Sequence, residues 1–244
     1  MQDIGQEFME KTKHKYLGES GRSLGLPDPP TEAEYDLLKP KICLPPPTDL
    51  QLGGKTLIEV INGRKSLRQY SDMALSLEEL SYLLWCTQGV KKIKPGVATL
   101  RTVPSAGARH AFGTYLLINK VDGLNPGLYR FMALEHKLIE VNLEPDIVDK
   151  AVAGCGGQSF VGSSAATFMW VANVERMKWK YDMRGYRYLH LDAGHVCQNL
   201  YLAAESIDCG VCAIAAFDDD EINRFLGLDG ERQFVIYAAT VGKK

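Results

Sequence analysis

The sequence has no excess of charge of either sign: 28 Lys and Arg stand against 30 Asp and Glu, a formal net charge of −2. So balanced a chain lacks the basic field that gathers nucleic acid or an anionic membrane, and neither is expected as a partner. Long apolar runs are missing too. The longest apolar-leaning stretch, residues 186–204, carries Arg187, His190, Asp192 and His195, which excludes a membrane span. Cysteine is sparse and scattered, six in 244 residues, so no secreted disulfide framework is indicated. A chain of this length buries roughly 70–75% of its unfolded surface and folds without such staples. The opening MQDIGQEFMEKTKHKY lacks the apolar centre of a signal peptide, and reduced thiols without an export signal point to the cytoplasm. What is present, 45% hydrophobic and 24% charged residues, is the composition of a globular protein. A disordered chain, a collagen-like fibre and a coiled coil are excluded.

Residues 1–52 stand apart. They hold Pro27, Pro29, Pro30, Pro40, Pro45, Pro46 and Pro47, most of the 11 prolines, with little periodic apolar pattern. Proline fixes φ and removes a donor, so the segment reads as an extended arm ahead of a domain over 53–244. An arm reaching a partner subunit and a mobile tail both fit, and the residues alone lean towards the tail.

Beyond it the periodicities become regular. Leu57, Ile58, Val60 and Ile61 suit a short helix closed by Asn62-Gly63, and Ser76 caps a helix that Gly89 ends. Strands are expected over 114–121, 127–131 and 136–141 as a meander, over 165–174 as a doubly covered central strand, and over 211–217 and 233–241. A long helix is expected over 186–206 and a short one near Asp218. The fold class is α+β, with hairpins among alternating strands and helices.

Several familiar signatures miss. Gly54-Lys55-Thr56 ends like a phosphate loop, but Asp49 stands where its leading glycine is needed. No G-x-G-x-x-G follows a strand and no G-x-S-x-G is present. Cys209-Gly-Val-Cys212 leaves a helix and enters a strand, the reverse of a redox pair at a helix N-terminus, and reads as packing. His190 and His195 would lie about 140° apart on a helix, so a metal site with Asp192 is not expected.

Three constellations survive. In Arg64-Lys65-Ser66-Leu67-Arg68, an extended backbone puts Arg64, Ser66 and Arg68 on one side, two guanidinium forks around a hydroxyl that would suit a phosphate. An ordinary solvated loop fits equally well. Pro104-Ser105-Ala106-Gly107 is a tight turn that could lie against a planar ligand, or merely a turn. Trp179-Lys180-Tyr181 offers two proton carriers, or an amphipathic loop.

Taken in order, these stretches resemble the nitroreductase-like flavoproteins, in particular the SagB-type (azoline dehydrogenase) branch. RKSLRQYS, SLEELSYLLWCTQG, VPSAGARHAFGTYLLI, GLNPGLYRF, the block from WKYDMRGYRY and CAIAAFDDDEINRFLGLD carry the likeness over roughly residues 50–244. The resemblance implies a three-layer α-β-α fold with a mixed or antiparallel central sheet, an intertwined homodimer, and FMN at the subunit interface. It assigns cofactor binding to Arg64, Lys65, Ser66, Arg68, Pro104, Ser105, Ala106, Gly107, Ala215, Ala216 and Lys243. The 104–107 turn would come from the other subunit. It assigns catalysis to Lys180 and Tyr181, on a small-molecule or peptide substrate. Many relatives have an acidic residue and Gly where this chain has Ala215-Ala216. Two further readings stay open: a nitro- or quinone reductase with NADH or NADPH as electron donor, and a non-catalytic flavin-binding protein.

Overall fold

The computed structural model describes residues 3–36, 38–49, 51–95 and 98–244, and only the backbone of Asp49. Its centre is a seven-stranded sheet in the order β1-β6-β5-β4-β7-β9-β8, and every ladder in it is antiparallel. The strands are β1 (Lys41–Cys43), β4 (Phe112–Ile118), β5 (Gly127–Met132), β6 (Lys137–Asn142), β7 (Ala166–Asn173), β8 (Cys209–Ile214) and β9 (Gln233–Lys243). A separate hairpin pairs β2 (Val90–Lys94) with β3 (Ala98–Arg101).

Strand β7 explains the layering. Its burial is nearly continuous, and successive side chains point to opposite faces. Phe168 and Trp170 enter one apolar cluster with Leu80, Leu84, Val196 and Leu200, from α3 (Leu77–Gln88) and α7 (Gly185–Ser206). Met169 and Val171 enter the other with Ile147, Ala151 and Ile222, from α4 (Ile147–Gly154) and α8 (Asp219–Leu226). A strand covered on both faces has no use for polar alternation, which is why it reads as a continuous apolar run. The result is the expected α+β architecture in three layers, helices on either side of an antiparallel sheet.

Local signals set the helix ends. Thr56 caps α2 (Leu57–Gly63) and Ser76 caps α3, each completing a capping box with the glutamate three residues on, Glu59 and Glu79. Gly89 closes α3, with its amide on the Trp85 carbonyl. The remaining α-helices among the described residues are α1 (Ile4–Lys11), α5 (Phe160–Ser163) and α6 (Val174–Tyr181). Trp179-Lys180-Tyr181 is thus the last turn of a helix, not a loop.

The arm lies along its own chain. Arg176 donates to the carbonyls of Pro29 and Pro30, and Arg130 to those of Ala33 and Glu34. Arg109 grips the Asp28 carboxylate with both terminal nitrogens. All three arginines are buried. Proline-rich backbone offers carbonyls without competing amides, so guanidinium forks from the domain supply the donors the arm cannot.

Candidate active site

Leu67 orders the first constellation. Its amide donates to the Val211 carbonyl at 2.9 Å, and Ser66 forms a parallel bridge to Val211, so the segment runs extended along β8. Leu67 turns inwards onto Gly210, where a Cβ would overlap its side chain. Arg64, Ser66 and Arg68 accordingly turn out, exposed, as does Lys65. Ser66 Oγ lies 2.9 Å from Tyr201 Oη, which accepts from the Ala213 amide at 2.9 Å. Arg64 sits over the Tyr201 ring at 5.6 Å and Arg68 over Phe160 at 6.0 Å. Arg64, Lys65, Ser66 and Arg68 thus stand exposed together, with the Ser66 hydroxyl held at Tyr201. Ala215 and Ala216, at the end of β8, are exposed, and Gln158 Nε2 donates to the Ala216 carbonyl at 2.8 Å.

The second and third constellations meet. Asp192, inside α7, accepts from Ser105 Oγ at 2.6 Å and from the Ala106 amide at 3.1 Å, while the His110 amide donates to Ser105 Oγ at 2.9 Å. These bonds fix the turn, and the Ser105 hydroxyl is spent inside it. Pro104 and Gly107 remain on the surface. Gly107 has φ +57, and Lys180 Nζ donates to its carbonyl at 3.3 Å. A side chain there would run into Lys180 Nζ and Tyr181 Oη. Tyr181 meets Tyr188 edge to face at 4.7 Å.

Electrostatics separates Lys180 from Tyr181. Burial pushes the Lys180 ammonium below its ordinary range, and Arg22 and Arg109 push the same way against Asp28. Burial also raises the Tyr181 phenol, with Tyr188 and Asp192 adding to it. The lysine thereby sheds a proton more readily and the tyrosine keeps its own, a pairing of potential base with potential donor.

One chain does not unite the whole predicted set. Ser105 is anchored at Asp192 and Ser66 at Tyr201, nine residues further along α7. That is about 13 Å along the axis and about half a turn around it. Lys243 does not stand open to a phosphate; it ion-pairs with Glu79, and Lys244 with Glu205 at 2.7 Å. Sequence reasoning missed Tyr201, the anchoring role of Asp192, and the arm's Arg22 and Asp28. No local pattern signals them, because their partners lie 81 to 157 residues away.

Other readings resolve by burial. Cys209 and Cys212 are both buried, and burial pushes the Cys209 thiol up to about 12. Among the described residues no cluster of His, Cys, Asp or Glu could hold a metal ion, and no helix is long and apolar enough to cross a membrane.

Known proteins share this fold. The Nitroreductase family matches residues 61–243. MJ1384 of Methanocaldococcus jannaschii, provisionally named a nitroreductase, is 31% identical over 188 residues, covering 77% of this chain and 91% of the relative. A protein of Ralstonia eutropha JMP134, also provisionally named a nitroreductase, superposes with a TM-score of 0.68 at 26% identity, over 87% of this chain and 97% of that one. The fold is shared with two more distant structures. One is the Escherichia coli microcin synthetase McbBCD complex with truncated pro-MccB17 bound, at TM-score 0.62 and 18% identity over 99% of this chain and 92% of that one. The other is the NADPH:FMN oxidoreductase of Vibrio harveyi complexed with NAD+, at 0.55 and 16% over 77% and 68%.

Proposed function

Because the chain belongs to the Nitroreductase family, we propose that it is an FMN-dependent oxidoreductase of the SagB-type dehydrogenase kind, acting at a site completed across a homodimer interface. The convergence of Lys180 and Tyr181 on Gly107 carries this reading. Two potential proton carriers of opposite tendency meet at a turn whose glycine leaves room for them.

The donor set fits the cofactor. Arg64, Ser66 and Arg68 present guanidinium and hydroxyl groups on one exposed face, which suits a phosphate and the electron-rich edge of a flavin. Lys65, Pro104, Ala106, Gly107 and the backbone at Ala215 and Ala216 would complete its surroundings, with Lys243 available once released from Glu79. When bound, FMN supplies the hydride acceptor at its N5. The protein's share is to hold the substrate and move one proton. Lys180, once it has given up its own proton, takes that proton from an azoline ring as the ring becomes aromatic, while Tyr181 stays protonated as a hydrogen-bond donor.

Two features support a dimer. The anchors of the 64–68 face and of the 104–107 turn lie on opposite sides of α7, so a second chain is what can bring such pieces together. In addition, α2 exposes Leu57, Ile58 and Ile61, at 66%, 62% and 47%, an apolar face that water does not favour. In its fold the chain is also like an enzyme complex with a bound propeptide, which makes a peptide substrate reasonable. A nitro- or quinone reductase fed by NADH or NADPH is the second reading, favoured by the likeness to an NADPH:FMN oxidoreductase.

The first test is the visible spectrum of the purified protein: a colourless protein that FMN cannot reconstitute ends both readings. Lys180→Ala should then keep the flavin yet lose turnover on a heterocyclised peptide. Full activity in that variant removes Lys180 from the mechanism, and rapid bleaching by NADPH selects the reductase.

A further inference from the structure

Beside Lys180 lies a pocket of about 330 Å³ whose outer wall belongs to the arm: Arg22 and Asp28 face Gly107, Arg109, Trp179 and Lys180. The arm's course here is fixed by mutual hydrogen bonds. The Arg22 amide donates to the Trp179 carbonyl at 2.9 Å, and Trp179 Nε1 donates back to the Leu26 carbonyl at 3.0 Å. Gly21 is in close contact with the same indole, since a Cβ there would lie 2.7 Å from Trp179 Cδ1. Arg22 is therefore tethered to the residue directly before Lys180.

The charge in this pocket is unbalanced. Asp28 is already taken by Arg109, through a 2.9 Å bond from one guanidinium nitrogen and a shorter bond from the other. Arg109 also covers one face of the Trp179 ring at 4.6 Å. Arg22 and Lys180 remain, and among the described residues neither has an ion pair with a carboxylate. A pocket with two uncompensated cations disfavours a cationic ligand and leaves the field of a neutral one unbalanced. A planar anion with two oxygens matches the fork of a guanidinium.

We propose that Arg22 makes this pocket a receptor for a substrate carboxylate, so that the protein prefers acidic azoline-bearing substrates over neutral ones. This rests on the reading of Lys180 and Tyr181 as facing the substrate and names its class. The carboxylate docks on the Arg22 guanidinium, with the ring directed towards Lys180 and Tyr181. Arg22 is a specificity residue here and takes no part in proton transfer.

The test is calorimetric titration of the full-length protein with 2-phenylthiazoline-4-carboxylate and with the matching carboxamide, at low and high salt. The carboxylate should bind about tenfold tighter at low salt, with the advantage shrinking as salt rises. Arg22→Gln should bring the two within about twofold, and Arg22→Lys should keep part of the preference. Equal binding in the unaltered protein, no binding of either probe, or a preference that survives Arg22→Gln overturns the proposal. Arg22 is exposed, so the Gln variant should fold, which its melting curve verifies. Binding is read without turnover, and flavin absorbance is recorded on the same sample. Carboxylate preference in a flavin-free protein defeats the flavin reading alone, and flavin turnover without the preference defeats this inference alone.

Discussion

Lys180 Nζ donates to the carbonyl of Gly107 at 3.3 Å across a sequence separation of 73 residues, and Gly107 permits it by having no side chain and a φ of +57. A helix end and a tight turn, neither informative alone, are brought together by that contact.

Replacing Gly107 is therefore expected to disable the site more than the fold. A Cβ at this position strains the left-handed backbone, at a cost of about 1–2 kcal/mol, and also displaces Lys180 and Tyr181. In Gly107→Ala, turnover should fall at least about tenfold while the melting temperature drops by only a few degrees. Paired measurement of both decides it: unchanged turnover would show that the closeness of the three residues is incidental.

Gly210→Ala probes the other half. The added methyl overlaps Leu67, which must shift and carry Arg64, Ser66 and Arg68 with it. The expected outcome is a protein that retains much less flavin after gel filtration, read as the ratio of visible to ultraviolet absorbance. Full retention would mean that the 64–68 segment does not hold the cofactor.

The exposed face of α2 gives a test of assembly. Leu57→Glu combined with Ile58→Glu adds two charges to side chains that pack little within the chain. Sedimentation should show a shift from dimer to monomer, with flavin lost in parallel. A monomer that keeps its flavin would place the whole site in one chain.

Asp28→Ala should loosen the arm. It leaves the buried Arg109 guanidinium without its carboxylate, a cost of about 1–3 kcal/mol for a pair of which one member is partly exposed. Brief trypsin treatment should cut at Arg22 several times faster, while the domain beyond residue 53 stays intact. Unchanged cleavage would show that the Arg176 and Arg130 bonds hold the arm unaided.

His110 sets an acid limit on stability. Burial, then the neighbouring Arg101 and Arg176, push its imidazolium down to about 3, against about 6.5 in an unfolded chain. The folded pKa is the depressed one, so the contribution is complete above about pH 6.5 and drains away as pH falls towards 3, at about 1.4 kcal/mol per unit. Urea unfolding of the unaltered protein should lose about 2 kcal/mol between pH 7 and pH 5 from this group. His110→Asn, which tolerates the φ of +44, should lose correspondingly less. An equal loss in the variant would assign the acid sensitivity elsewhere.

Periodicity made β7 readable because a strand covered on both faces must be apolar throughout. Capping chemistry made the start of α3 readable because Ser76 bonds within one helical turn. The alternation of Arg64, Ser66 and Arg68 was equally legible, since an extended backbone allows only two directions. The cap is a bond between near neighbours and the other two are patterns along one segment, and these the sequence by itself determined; that Leu67 would pair with Val211 it did not. Tertiary structure alone decided that Asp192 would anchor the 104–107 turn, that Lys180 would reach Gly107, and that the arm would place Arg22 beside Lys180. It also engaged Lys243 with Glu79. Each of these contacts joins segments distant in the chain, and which segments meet is settled by packing two helical layers against one sheet. No local pattern carries that information.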